Sequence, residues 1–346
     1  MDRVLRVVVI DDSAYVRKVT REILSRSPFV EVVGTARDGR EALDVVEELD
    51  PDVVTCDLIM PELDGVGFVR EQMQRRPVPI IIMSVANETA EATLTALDAG
   101  AIDFVQKPTA LASEKMFEVS SELIEKVKAA GNIVLNRIPP PQSTAIIEPP
   151  TTFSGSHSVD VVVIGISTGG PQGLKRLIPQ LPKGFPVPVL MVMHMPVGYT
   201  EMYAAKLNEL SHLEVREAAQ GDEVKAGSVF LAPAGRHLSV KRTADGKILT
   251  HLDAKPFSTL HKPSVDVLFQ SAAEVYGKRV LGVVMTGMGS DGKHGSAWIK
   301  AQGGLIFTEA ESSCVVYGMP CAVNEAGLSD KSVALEDMAR AIGEVV

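Results

Sequence analysis

Three short segments of this 346-residue chain carry a reactive side chain at the end of an apolar run or in the turn that follows it. Ser167 follows Val161–Ile166 and is flanked by Gly165 and Gly169. A Gly-x-Ser-x-Gly turn lets a serine oxygen project from a tight strand-to-helix bend, which suits a nucleophile. The same stretch could cradle a phosphate at a helix N-terminus, and a helix-capping serine is a third reading. The dinucleotide fingerprint, however, needs glycine where Ser167 stands, and no Walker lysine follows.

A serine nucleophile requires a base and a group that orients the base. Of seven histidines, His194 directly follows the apolar run Val187–Met193, so it shares a strand end with Ser167. His212, His237, His251, His261 and His294 fall in loops or edges, and His157 lies in a linker. Asp291 follows a third run, Val280–Met285, inside Thr286-Gly-Met-Gly-Ser-Asp-Gly292. Three glycines there allow close backbone approach, so the carboxylate could reach the imidazole while loop N–H groups hold an oxyanion. The chemistry of such a set is acyl transfer. Its order, Ser…His…Asp, differs from the Ser…Asp/Glu…His of α/β-hydrolases.

A second constellation lies nearer the N-terminus. Asp11 and Asp12 follow the run Val4–Ile10, Asp57 follows Val53–Cys56, Ser84 follows Pro79–Met83, and Lys107 follows Asp103–Val105. Carboxylates from two strand ends make a hard-oxygen site suited to Mg²⁺. One of them could attack phosphorus, with Lys107 and the Ser84 hydroxyl steadying the phosphoryl oxygens. Pro108 after Lys107 admits a cis peptide that would aim the lysine inward.

Those positions require parallel strands whose ends line up. In the first half five apolar runs, including Val30–Ala36, alternate with helical patterns at Ala14–Ser25, Gly39–Glu48, Gly65–Arg75, Glu88–Ala99 and Ser113–Ala129. This alternation implies a parallel sheet covered on both faces, with chemistry beyond the carboxyl ends. The second half repeats it with runs at Val159–Ile164, Val187–Met193, Ser228–Ala232, Val280–Met285 and Leu305–Thr308, and a hairpin over Ser239–His251 turning at Asp245-Gly246. Between the halves, Arg137–Thr152 holds five prolines and no periodicity. Residues 1–127, a proline-rich linker 128–157 and residues 158–346 are therefore the expected parts.

Composition narrows the function. The chain is 45% hydrophobic and 23% charged, with a net charge of −10. Residues 1–127 carry 14 basic and 24 acidic side chains, and residues 128–346 carry 20 of each. No basic excess marks a nucleic-acid-binding half, so no nucleic-acid partner is expected. The longest apolar runs fall far short of the ~20 residues that span a bilayer, so no membrane insertion is expected. Met1–Arg6 shows no signal-peptide pattern, which points to the cytoplasm. Cys56, Cys314 and Cys321 lack disulfide or zinc spacing.

The segments Val7-Val-Val-Ile-Asp-Asp-Ser13, Cys56-Asp-Leu-Ile-Met-Pro61, Ile82-Met-Ser84 and Val105-Gln-Lys-Pro108 resemble a response-regulator receiver domain over residues 4–127. That resemblance implies a flavodoxin-like 2-1-3-4-5 sheet and Asp57 as phosphoacceptor. It further implies Mg²⁺ held by Asp12, Asp57 and the Ile59 carbonyl beside Asp11, and a relay through Ser84 and Phe104. Gly165-Ile-Ser-Thr-Gly-Gly-Pro171, Met193-His-Met-Pro196 and Met285-Thr-Gly-Met-Gly-Ser-Asp-Gly292 resemble the catalytic domain of chemotaxis protein-glutamate methylesterases over residues 158–346. Ile166 and Ser290 stand where that family commonly has alanine and asparagine, and Ile166 could tighten the pocket beside Ser167.

The implied protein has two doubly wound α/β domains, a receiver and a Rossmann-like serine esterase. It would remove methyl groups from glutamyl esters of chemoreceptors and deamidate receptor glutamines, with Met288 as oxyanion donor and no cofactor for hydrolysis. A chemotaxis sensor histidine kinase would be the phosphodonor. The competing expectation is a non-enzymatic response regulator whose second domain binds a nucleotide or a partner protein.

Overall fold

The computed structural model describes residues 3–85, 90–107, 113–133, 158–256 and 258–346. The described chain forms two compact units, one on each side of residues 134–157.

In the first unit β1 (Leu5–Ile10), β2 (Val30–Ala36), β3 (Val53–Asp57), β4 (Ile80–Ser84) and β5 (Asp103–Gln106) alternate with five helices. These are α1 (Ala14–Leu24), α2 (Gly39–Leu49), α3 (Gly65–Arg75), α4 (Ala90–Asp98) and α5 (Ser113–Gly131). All strand pairs are parallel, in the order β2-β1-β3-β4-β5. Val7, Val8, Val53, Val54 and Ile80 to Ile82 have no exposed surface. Strands buried on both faces read as unbroken apolar runs, and each such side chain contributes about 1.5–3 kcal/mol on burial. Ser13, Asp38 and Asp64 accept backbone N–H bonds at the N-termini of α1, α2 and α3, so each helix starts at a fixed point beyond its strand.

The second unit opens with β6 (Val161–Ile166), α6 (Gly170–Leu177), β7 (Val189–Met193), α7 (Thr200–Leu210), β8 (Glu214–Glu217) and β9 (Ser228–Leu231). A hairpin, β10 (His237–Arg242) and β11 (Ile248–Asp253), then precedes α8 (Val265–Tyr276). The chain finishes with β12 (Val280–Val284), α9 (Lys293–Ala301), β13 (Leu305–Glu309), α10 (Met319–Glu325), β14 (Lys331–Val333) and α11 (Leu335–Gly343). Seven parallel strands lie in the order β14-β13-β12-β6-β7-β9-β8. From β6 the chain moves toward β7, and from β12 it moves the opposite way, toward β13. The crevice beyond the carboxyl ends of β6 and β12 is thus the topological switch point, where open α/β sheets bind ligands.

The structure departs from the sequence reading in detail. The edge strands β8 and β14 were not anticipated, because Glu-Val-Arg-Glu and Lys-Ser-Val lack an apolar run. Helix α5 continues to Gly131, past the expected start of the linker at residue 128. The Lys107–Pro108 peptide and residues 134–157 of the linker lie outside the described residues. Among the described residues no helix is long and apolar enough to cross a membrane.

Candidate active site

Register brings the serine and histidine together. Strands β6 and β7 pair Ile166 with Met193, so Ser167 and His194 each stand one residue beyond that pair. The His194 N–H donates to the Ile166 carbonyl at 3.2 Å, and the Ser167 N–H donates to the Thr286 carbonyl at 2.9 Å. The serine therefore sits between the ends of β7 and β12. Its carbonyl accepts the Gly170 N–H at 2.7 Å, closing a turn in which Gly169 has φ 79° and ψ 0°. That left-handed position, the third of a type II turn, suits glycine. A Cβ at Gly287 would lie 2.8 Å from the Ser167 Cβ, so the loop after β12 packs directly on the serine.

Asp291 holds the His194 imidazole. Its Oδ2 lies 2.9 Å from His194 Nε2 and accepts the Val265 N–H at 2.8 Å. Its Oδ1 accepts from the Ser264 hydroxyl, the Asp266 N–H and the Gly292 N–H. The carboxylate thus occupies the N-terminus of α8, where orphan N–H groups and the helix dipole favour negative charge. Asp266 answers in kind, accepting from Gly292 and Gly295 at the start of α9. Burial opposes the Asp291 charge, but the His194 contact and the Asp266 and Val265 N–H groups outweigh it and hold the carboxyl well below the usual carboxylate range.

With Nε2 committed to Asp291, the proton belongs on Nε2 and the free lone pair on Nδ1. His194 Nδ1 is buried and makes no hydrogen bond among the described residues. The expected serine–histidine bond is consequently not formed, whereas the histidine–aspartate bond is. Catalytic hydrogen bonds of ligand-free sites are often loose and tighten only around substrate. Met288, expected as oxyanion donor, is half-buried in the loop that covers Ser167. Ile166 is fully buried against Gly170 and Gly173 of α6, so it fills the interior and does not line the pocket as expected.

Three further residues escaped the sequence reading. His261 stacks on His194 with ring centroids 4.0 Å apart. Ser264 is bonded to Asp291, and its N–H donates to Nδ1 of the buried His237. Glu309, wholly buried, accepts the Thr286 N–H from below the serine. Only Ser264 carried a local signal, a serine directly before a helix; the other contacts join distant segments.

In the first unit Asp11, Asp12 and Asp57 offer carboxylate oxygens within 4.8 Å of one another. Lys107 Nζ lies 2.7 Å from both Asp11 Oδ2 and Asp57 Oδ2. Burial raises the Asp57 carboxyl above its ordinary pKa, and Lys107 only partly offsets that while Asp11 adds to it. Three hard-oxygen anions against one ammonium leave negative charge that a divalent cation would neutralise, so the donor set fits Mg²⁺. Ile59 can add only its carbonyl, its side chain being exposed. The Ser84 hydroxyl is 2.8 Å from Thr93 Oγ1 on α4, and Phe104 is buried with its carbonyl bonded to Lys126 Nζ.

Comparison with known proteins agrees with this geometry. The CheB methylesterase family matches residues 162–342, and the response regulator receiver domain matches residues 7–117. The chain is 48% identical over 337 residues to the protein-glutamate methylesterase/protein-glutamine glutaminase 5 of Myxococcus xanthus, covering 96% of each. It is 44% identical to the protein-glutamate methylesterase/protein-glutamine glutaminase of Symbiobacterium thermophilum, covering 100% of this chain and 98% of the relative. The crystal structure of the Thermotoga maritima CheB methylesterase catalytic domain superposes with a TM-score of 0.52 at 40% identity, covering 54% of this chain and 97% of that domain. The chain therefore belongs to the protein-glutamate methylesterase/protein-glutamine glutaminase family, with a receiver domain preceding the methylesterase domain.

Proposed function

We propose that the chain hydrolyses γ-glutamyl methyl esters on chemoreceptors, and deamidates receptor glutamines, in the adaptation arm of chemotaxis under control of receiver phosphorylation. The observation that carries this reading is the buried, unpartnered His194 Nδ1 on an imidazole locked by Asp291, beside a serine at the adjacent strand end. His194 Nδ1 takes the Ser167 proton as Oγ attacks the ester carbonyl, and Asp291 stabilises the imidazolium that forms. The oxyanion is held by the Met288 N–H. Collapse expels methoxide, which leaves as methanol with the proton from His194. Water, deprotonated by the same nitrogen, then releases the glutamate and restores Ser167. With a glutamine substrate ammonia leaves instead.

Asp57 is the phosphoacceptor and a chemotaxis sensor histidine kinase the donor. Asp11, Asp12, Asp57 and the Ile59 carbonyl would hold Mg²⁺, which would neutralise phosphoryl charge. Lys107 pairs with the phosphoryl group, and Ser84 and Phe104 relay the change. Residues 1–127 form the regulatory part, 128–157 the linker and 158–346 the esterase, all in the cytoplasm and without nucleic-acid contacts. The test is methanol release from methylated receptor by Ser167→Ala. It should fall to background; wild-type release would overturn the reading.

A further inference from the structure

Beneath the serine turn lies a carboxyl that the reaction does not use. Glu309 ends β13 with no exposed surface. Its Oε2 accepts the Thr286 N–H at 2.9 Å, and its Oε1 accepts the Ser313 hydroxyl at 3.0 Å. No cation pairs with it among the described residues; the charged group that acts on it is Glu336 in the first turn of α11, itself acidic. On the far side of the same residue, the Thr286 carbonyl accepts the Ser167 N–H at 2.9 Å, and Thr286 Oγ1 donates to the Thr168 carbonyl at 3.0 Å. Thr286 is thus clamped between Glu309 and the nucleophile turn.

We propose that Glu309 is a positioning residue which holds Ser167 in place through Thr286, and that its ionisation adjusts the grip and hence the rate of ester hydrolysis. The inference rests on the assignment of Ser167 as nucleophile. An ionised carboxylate accepts both donors, and its charge-assisted bond to the Thr286 N–H is stronger than a neutral one. When a proton is added to Oε1, that O–H donates to Ser313 Oγ. The Ser313 hydroxyl then turns to the Ala310 carbonyl, 3.3 Å away, while Oε2 keeps the Thr286 N–H through a weaker, neutral bond. Both states satisfy every buried polar atom, so the switch needs no unfolding. Burial pushes this carboxyl up to about 7, so the change falls in the neutral pH range.

The test compares full-length wild type, Glu309→Gln, Glu309→Ala and Ser167→Ala in methanol release from methylated receptor across pH 5–9. Glutamine keeps a neutral acceptor for Thr286 and cannot titrate. Its kcat at pH 8 should fall about threefold, with KM unchanged, and the ratio of wild-type to Glu309→Gln kcat should decline from about three at pH 8 to about one at pH 5, where Glu309 is protonated. Glu309→Ala strands a buried N–H and should lose at least tenfold in kcat with KM within twofold. A ratio of wild-type to Glu309→Gln kcat that stays constant from pH 5 to pH 9 would overturn the proposal, even if the alanine variant fails to fold. Activity in Ser167→Ala would instead defeat the nucleophile assignment, so the two failures are distinct.

Discussion

Replacing Asp291 by asparagine preserves the shape of the site and removes one acceptor and the charge. The carboxylate receives five donors: His194 and Val265 on Oδ2, and Ser264, Asp266 and Gly292 on Oδ1. Asparagine supplies a single acceptor oxygen, so either orientation of its amide aims an NH2 at one or more backbone N–H groups. A buried donor left unmatched costs about 1–3 kcal/mol, so a stability loss of about 2–4 kcal/mol is expected from urea unfolding. If the NH2 faces His194, the imidazole proton moves to Nδ1 and the base is lost. The corresponding change in a serine triad lowers kcat about 10⁴-fold, or about 5 kcal/mol of transition-state stabilisation. The pH dependence has a definite sign. Because the folded pKa is depressed, Asp291 contributes stability above its unfolded value and loses it as pH falls through the folded one. Wild type should therefore lose stability faster than Asp291→Asn below about pH 4. A folded variant keeping more than a tenth of wild-type kcat would refute the assignment of Asp291 as orienter.

Three other outcomes follow from the same contacts. Gly287→Ala would place a methyl 2.5 Å from Met319 Sδ and 2.8 Å from the Ser167 Cβ, so kcat should fall at least about tenfold and stability by about 1–3 kcal/mol, read by methanol release and thermal melts. Glu309, with its folded pKa raised to about 7, weakens the fold increasingly as pH climbs from its unfolded value toward 7. Glu309→Gln should accordingly equal wild type in stability near pH 4 and exceed it by up to about 3 kcal/mol at pH 8, as measured by denaturant titration. Asp57→Asn should abolish activation by a phosphodonor, and chelation of divalent cations should do the same in wild type while leaving donor-independent hydrolysis intact.

Much of this was legible in the sequence because parallel strands buried on both faces announce themselves. Val161–Ile166, Val189–Met193 and Val280–Val284 are apolar throughout, so their ends, and the polar residues just beyond, could be read directly. The same holds for Asp57 at the end of β3 and Lys107 after β5. Edge strands β8 and β14 carry polar residues because one side faces solvent, and they gave no such signal. The supporting contacts of the site were also illegible. His261, Ser264 and Glu309 reach His194, Asp291 and Thr286 across folded distances that no local periodicity encodes. The expectation for Ile166 rested on a difference from the family pattern, which does not say that its side chain packs against Gly170 and Gly173 of α6.

The central claim is that Ser167 carries the acyl group. Rapid quenching of the full-length enzyme during turnover of a methylated receptor peptide, followed by peptide mass spectrometry, tests it directly. A glutamyl adduct on the Ser167 peptide, formed with a burst of methanol and absent from Ser167→Ala, is the predicted result. Steady methanol release with no adduct, or an adduct on another residue, would contradict it.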